Sequence, residues 1–183
     1  MDLEWRGISC PASMRCCTLD ELLATLPSDR ERLEAQIDRL GEQSAEAQGL
    51  RQPITSMVLV QSPKSLDEGH IVHVLVDDRQ NGEIVGYLKT GTKHLYYMTA
   101  AGAYKEMDPV CVLDFYVVQQ RHGHGAMLFR SMLERLQLRA KDLAYDRPSP
   151  KLGPFLAKYF GLRSFVPQSN RFVLFDAYFE TTQ

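Results

Sequence analysis

Val110-Cys111-Val112-Leu113-Asp114-Phe115-Tyr116-Val117-Val118-Gln119-Gln120-Arg121-His122-Gly123-His124-Gly125 is the stretch on which the reading of this chain turns. Residues 110–118 are rich in β-branched and aromatic side chains and apolar enough for a strand buried on both faces. Right after Gly125, Leu128, Met132 and Leu136 recur every fourth residue, with Phe129 and Leu133 beside them, so an amphipathic helix follows. Glycines in the turn between them let backbone N–H groups face a ligand. The helix N-terminus adds partial positive charge, and Arg121 adds a cation. Such a turn suits a pyrophosphate, and it equally suits a tight loop that holds nothing. Two dinucleotide motifs are excluded. A P-loop ends in Gly-Lys-Ser/Thr, but Ala126-Met127 follow Gly125; a Rossmann fingerprint needs a third glycine where Leu128 stands. What remains is Gln-x-x-Gly-x-Gly at Gln120, Gly123 and Gly125.

Upstream, Ser28 reads as an N-cap, with Asp29 and Glu31 in the first turn and Leu33, Ile37 and Leu40 at helical spacing. This helix should reach Gln48 and stop at Gly49. Strands are expected over 58–60, 71–76, 84–88 and 95–98, with Asn81-Gly82 turning a hairpin. Downstream, a short strand is expected over 143–145. Ser149-Pro150 then opens a second helix carrying Leu152, Phe155, Leu156 and Tyr159, with Gly161 at its end. Gly153-Pro154 interrupts that helix and would move its start to Pro154. A last strand is expected over 172–179, and residues 1–27 show no clear period. This order predicts one domain over residues 1–183 with a mixed α/β (α+β) sheet, mostly antiparallel, containing one strand–helix–strand crossover.

Composition narrows function by exclusion. The chain has 183 residues, 44% apolar and 24% charged, which suits a packed globular domain. Its formal net charge of −2 lacks the basic excess of a general nucleic-acid coat. No apolar run approaches the about 18 residues of a membrane span. The opening Met1-Asp2-Leu3-Glu4-Trp5-Arg6 lacks the basic and apolar regions of a signal peptide, so an intracellular protein is expected. Cys10, Cys16, Cys17 and Cys111 form no C-x-x-C, and reduced thiols are expected. Cys111, inside an apolar run, reads as a small core residue. His70-x-x-His73 and His122-x-His124 have no further ligand at a metal-site spacing, so no metal is expected.

The blocks Asp108-Pro109-Val110-Cys111-Val112-Leu113-Asp114-Phe115-Tyr116, Gln120-Arg121-His122-Gly123-His124-Gly125 and Asp146-Arg147-Pro148-Ser149 resemble the α-tubulin N-acetyltransferases, of the GNAT superfamily. So do Ala47-Gln48, Pro53-Ile54-Thr55-Ser56 and Val166-Pro167-Gln168-Ser169-Asn170. The blocks come in the family's order. The resemblance implies a GNAT-type fold: a mostly antiparallel sheet with a splayed parallel pair, flanked by helices. It implies acetylation of an α-tubulin lysine in the microtubule lumen, with acetyl-CoA as cosubstrate, by direct attack in a ternary complex. A GNAT-fold enzyme for another protein lysine, or a non-catalytic microtubule-associated module, are the alternatives.

By the same resemblance, Asp146 is the general base. Cys111 is an auxiliary base or a group shaping the lysine channel, and Gln48 orients substrate. Phe115, Tyr116, Val117 and Val118 would run along pantetheine. Gln119, Gln120, Arg121, His122, Gly123, His124, Gly125 and Ala126 would hold the pyrophosphate, Ala126 replacing a larger residue found in some relatives. Ser149-Pro150-Lys151-Leu152-Gly153-Pro154-Phe155-Leu156-Ala157-Lys158 matches the second cofactor segment. Tyr159 would protonate the leaving thiolate, or serve as a core aromatic. Lys89-Thr90-Gly91-Thr92-Lys93 reads as a basic hairpin that would meet acidic tubulin, with Lys89 and Lys93 touching substrate, or as a solvated turn. The expected setting is a monomer in the cytoplasm on the microtubule cytoskeleton, including a ciliary or flagellar axoneme, with neither nucleic acid nor membrane as partner.

Overall fold

The computed structural model describes residues 11–180; residues 1–6 and Cys10 lie outside the described residues. One sheet has six strands: β1 (Met14–Thr18), β2 (Ile71–Asp77), β3 (Glu83–Thr92), β6 (Val110–Val117), β7 (Ala144–Asp146) and β8 (Phe172–Val173), in that spatial order. β4 (Leu95–Met98) and β5 (Tyr104–Met107) form a separate hairpin. Every neighbouring pair in the large sheet is antiparallel except β6 and β7, which are parallel. The helices are α1 (Leu19–Thr25), α2 (Arg30–Gln48), the short α3 (Met57–Val60) and α4 (Pro63–Asp67), α5 (His124–Leu136) and α6 (Leu152–Phe160).

The pleat sorts the strands' side chains onto two faces. Val72, Val74, Ile84 and Tyr87 pack with Leu22 of α1 and with Leu33, Ile37 and Leu40 of α2. Leu75, Leu88 and Val112 pack with Leu128, Phe129 and Met132 of α5 and Leu156 of α6. A third cluster joins Leu95 and Tyr97 of the hairpin to Cys111, Leu113 and Ala144.

The parallel pair is short. Cys111 faces Ala144 and Val112 faces Tyr145, and the register ends there. Among the described residues, β6 from 113 to 117 has no strand beside it on the β7 side. The opposite edge stays paired to β3 as far as Val117. The sheet therefore opens at its middle, next to the turn that leads into α5.

Several expected elements take another form. Residues 58–60 are α3, not a strand: Ser56 Oγ accepts from Leu59 N, Asp38 Oδ1 accepts from Met57 N at 2.7 Å, and Val58 is 81% exposed. Local capping outweighs the weak strand preference of Val-Leu-Val. The expected long C-terminal strand is only β8. Phe175 then bridges Phe165, and Asp176–Tyr178 forms a 3₁₀ turn. Beyond Val173 the run packs through its side chains more than through a continuous ladder, with Tyr97 and Phe179 rings 4.6 Å apart. α6 starts between the two expected points, and Pro154 lies in its first turn, where its missing N–H costs no helical bond. β1, α1 and β5 arise where no regular pattern is readable.

Candidate active site

The turn after β6 has the geometry its glycines suggest. Gly123 is the N-cap of α5 with φ of 81°, a left-handed conformation that glycine adopts without steric cost, and Arg121 is left-handed too. No side chain caps α5. Its first-turn N–H groups and its dipole are thus available to an anion. Gln119, Gln120, Arg121 and His122 are exposed, as is Val118 at the end of β6, while Phe115, Tyr116 and Val117 are half-buried along the open edge. Lys151 Nζ donates to Gln120 Oε1 at 2.9 Å, tying the two predicted cofactor segments together across the opening. Ala126, Leu152 and Leu156 are buried in the core, so their side chains hold α5 and α6 in place and only their backbones remain for a ligand. Lys158 is exposed, with its ammonium 5.0 Å from the Tyr159 ring; Tyr159 also packs on Phe155, 4.9 Å between centroids.

Asp146 ends β7 where the parallel pair splits. Arg147 grips it with two bonds, Nε to Oδ1 at 2.9 Å and an Nη to Oδ2 at 3.0 Å. Asp146 and Gln48, nearly a hundred positions apart in the sequence, line one pocket of about 350 Å³ together with Ile54, Arg147, Ser149 and Pro150. Cys111 is close by but fully buried, its Sγ donating to the Pro109 carbonyl at 3.4 Å. Burial first, and then the Asp146 charge, push its thiol up to about 12. Among the described residues no group of three His, Cys, Asp or Glu side chains is placed to hold a metal, and no helix is long and apolar enough to cross a membrane.

The expected basic hairpin is not there. Residues 89–92 run inside β3, and Lys89 is 5% exposed, donating to the Ile54 carbonyl. Burial holds its ammonium below the ordinary lysine value, against the pull of Asp114. Lys93 lies beyond the strand end, ion-paired with Glu68. The alternation that puts Tyr87 inside puts Lys89 inside as well.

The family whose profile is described as GNAT acetyltransferase, Mec-17 matches residues 17–183. The chain belongs to this family. It is 43% identical over 170 residues to the α-tubulin N-acetyltransferase of Phytophthora infestans, covering 86% of this chain and 94% of that one. It is 44% identical over 160 residues to α-tubulin N-acetyltransferase 1 of Danio rerio, covering 85% of this chain and 52% of that one. For the Tetrahymena thermophila enzyme of the same name the identity is 38% over 184 residues, with 99% and 42% covered. The chain thus spans nearly all of the first relative and about half or less of the other two. The solved structure of AtaTR bound with AcCoA shares the fold, at a TM-score of 0.53 and 12% identity over 90% of this chain and 94% of that one.

Beside this pocket lies a buried carboxylate whose partners, Gln48 apart, the sequence reading left without a role. Asp114 of β6 is 5% exposed, and its carboxylate accepts from five donors. Oδ1 takes Ser44 Oγ, Gln48 Nε2 and the Phe115 N–H, each at 3.0 Å. Oδ2 takes Thr55 Oγ1 at 2.6 Å and the Tyr87 hydroxyl at 2.5 Å. Burial, followed by the Asp114 charge, raises the Tyr87 phenol well above its ordinary value. The signal in the sequence was a single acidic residue inside an apolar strand, because a buried charge needs partners.

Proposed function

We propose that this chain transfers the acetyl group of acetyl-CoA to a lysine side chain of α-tubulin in the lumen of the microtubule, acting as a monomer in the cytoplasm on the microtubule cytoskeleton. The family supports acetyl transfer, and the relatives' names support α-tubulin as acceptor. The observation that carries the reading is the shared pocket of Asp146 and Gln48 at the split between β6 and β7, joined through residues 149–151 to the turn before α5.

The residues present fit acetyl-CoA. An extended pantetheine suits the edge of β6 at 113–117, which no described strand pairs on that side. Its phosphates suit the uncapped N-terminus of α5, with Arg121 and Lys151 adding charge. Acetyl-CoA supplies the acetyl group as a thioester.

A lysine ammonium has a pKa near 10.4, so it must lose a proton before it attacks. Asp146 stands in the pocket wall to take that proton, directly or through water. Arg147 holds both carboxylate oxygens and so fixes their direction. Gln48 spends its N–H groups on Ser44 and Asp114, which leaves Oε1 as the amide atom available to the incoming amine. Cys111, buried beside β7, helps shape the lysine channel through packing.

The test is mass spectrometry of polymerised tubulin after incubation with acetyl-CoA and either wild type or Asp146→Asn. We expect a lysine of α-tubulin to be acetylated by wild type and at least about tenfold more slowly by the variant, the usual range for a lost acid–base group. Acetylation of another protein but not of tubulin would overturn the substrate. Co-sedimentation with microtubules without any acetylation would overturn the enzyme.

A further inference from the structure

We infer that Asp114 is a positioning residue, setting which end of the Gln48 amide faces the acceptor lysine. The inference rests on the lysine acetyltransferase reading above. An amide has an acceptor end and a donor end, and only the acceptor end receives a hydrogen bond from an amine or ammonium. A carboxylate only accepts, so Gln48 must turn its N–H₂ toward Asp114 Oδ1, at 3.0 Å. The second N–H is taken by Ser44 Oγ at 2.8 Å, and the Ser44 hydroxyl in turn donates to Asp114 Oδ1 at 3.0 Å. A flipped amide would set its oxygen against Asp114 Oδ1 and lose that bond, and Ser44 could meet the oxygen only by withdrawing its own hydroxyl from Asp114. Gln48 Oε1 is thereby left for the pocket that Gln48 and Asp146 share.

The carboxylate is itself held. Thr55 and Tyr87 donate to Oδ2, and Lys89 stands opposite Asp114 in the β3–β6 register. Burying a charge at this position costs more than an apolar residue would, and packing alone does not ask for it. Among these network members, only Gln48 also lines the pocket, so it is the point where the network meets substrate.

Steady-state kinetics on polymerised tubulin, acetyl-CoA affinity and thermal melting should be measured for Asp114→Ala, Asp114→Asn and Gln48→Glu. Asp114→Ala removes the acceptor that orients the amide. Asp114→Asn keeps an oxygen at the Oδ1 position, where the Phe115 N–H is fixed, and turns its N–H₂ to the Thr55 and Tyr87 hydroxyls, which can accept. We expect Asp114→Ala to lower kcat/KM for tubulin by about tenfold or more, the scale of a hydrogen bond to a charged group, with acetyl-CoA affinity within about twofold. Asp114→Asn should recover most of that loss, and Gln48→Glu, which sets two carboxylates together, should be poor. A folded Asp114→Ala protein with wild-type kcat/KM, or an Asp114→Asn protein no better than Asp114→Ala, would overturn the inference. Should Asp114→Ala not fold, Ser44→Ala decides: a several-fold loss in kcat/KM at unchanged acetyl-CoA affinity is expected, and wild-type kinetics would overturn it. The wild-type arm separates the two levels. No acetylation of any lysine by wild type strikes the enzyme reading, whereas an active wild type alongside a fully active Asp114→Ala strikes only the positioning role.

Discussion

Asp146 and Cys111 sit on adjacent strands, yet burial assigns them different chemistry. Asp146 reaches the pocket and is oriented by Arg147. Cys111 is fully buried, with its thiol pushed up to about 12, so it stays protonated at neutral pH. Cys111→Ala is therefore expected to leave the shape of the kcat against pH profile unchanged between pH 6 and 9, whatever it does to the absolute rate. Native protein should likewise resist alkylation at Cys111 under conditions that modify it fully in denaturant. A titration near neutral pH that vanishes in Cys111→Ala would show that the thiol takes part as a base. The motif strings locate Asp146, Cys111 and Gln48 directly in the sequence. They do not show that Cys111 is shut off from the pocket or that Lys89 points inward, because both depend on which face of a strand the helices cover.

At the scale of elements, the site depends on α2 lying against the segment before α3. A Cβ built on Gly41 would come 1.9 Å from the Thr55 carbonyl oxygen, so two backbones touch there. This contact brings Thr55 and Gln48, from different segments, onto the same carboxylate. Gly41→Ala should destabilise the protein by about 1–3 kcal/mol, as overpacking does. It should also lower kcat/KM, because α2 and residues 53–56 must move apart. Denaturant unfolding and kinetics on one preparation test both effects, and unchanged values would show that the backbones separate freely. The elements legible in the sequence are α2, β2, β3, β6, α5 and α6, which repeat a period, and the short β4 and β7, which are runs of apolar and aromatic residues. The ones missed carry weaker patterns. β1 carries four half-buried residues after Met14, β5 is almost wholly exposed, and α1 has only seven residues. α1 nevertheless carried a readable sign. Thr18 and Glu21 form a capping box, with Thr18 Oγ1 accepting from Glu21 N at 3.2 Å and Glu21 Oε2 accepting from Thr18 N at 2.9 Å.

Across the whole molecule, the paired part of the sheet is a packed core, and the proposed site lies at the split beside it. That core contains a titratable group outside the proposed site. His73 on β2 is 2% exposed, 3.3 Å from Thr90 Oγ1, with Arg135 of α5 and Glu21 of α1 as the charged neighbours that act on it. Burial, aided by Arg135, lowers it from 6.5 to about 4. Between those two values the unfolded chain binds a proton that the folded chain refuses, so stability rises with pH and acid removes it. The loss begins as pH falls below 6.5, reaches about 2 kcal/mol at pH 5 and levels off below about 4. His70 and His124, also lowered chiefly by burial, act in the same direction. His94 acts in the opposite one, raised first by its bond to Asp108, but it is exposed and its contribution is small. Unfolding free energies of wild type and His73→Gln, measured at pH 7.5 and pH 5, isolate the His73 part. The glutamine carries no titration, so the drop between the two pH values should shrink by about 2 kcal/mol in the variant. An equal drop in both proteins would mean that His73 is protonated in the folded core and that the acid sensitivity of the fold arises elsewhere.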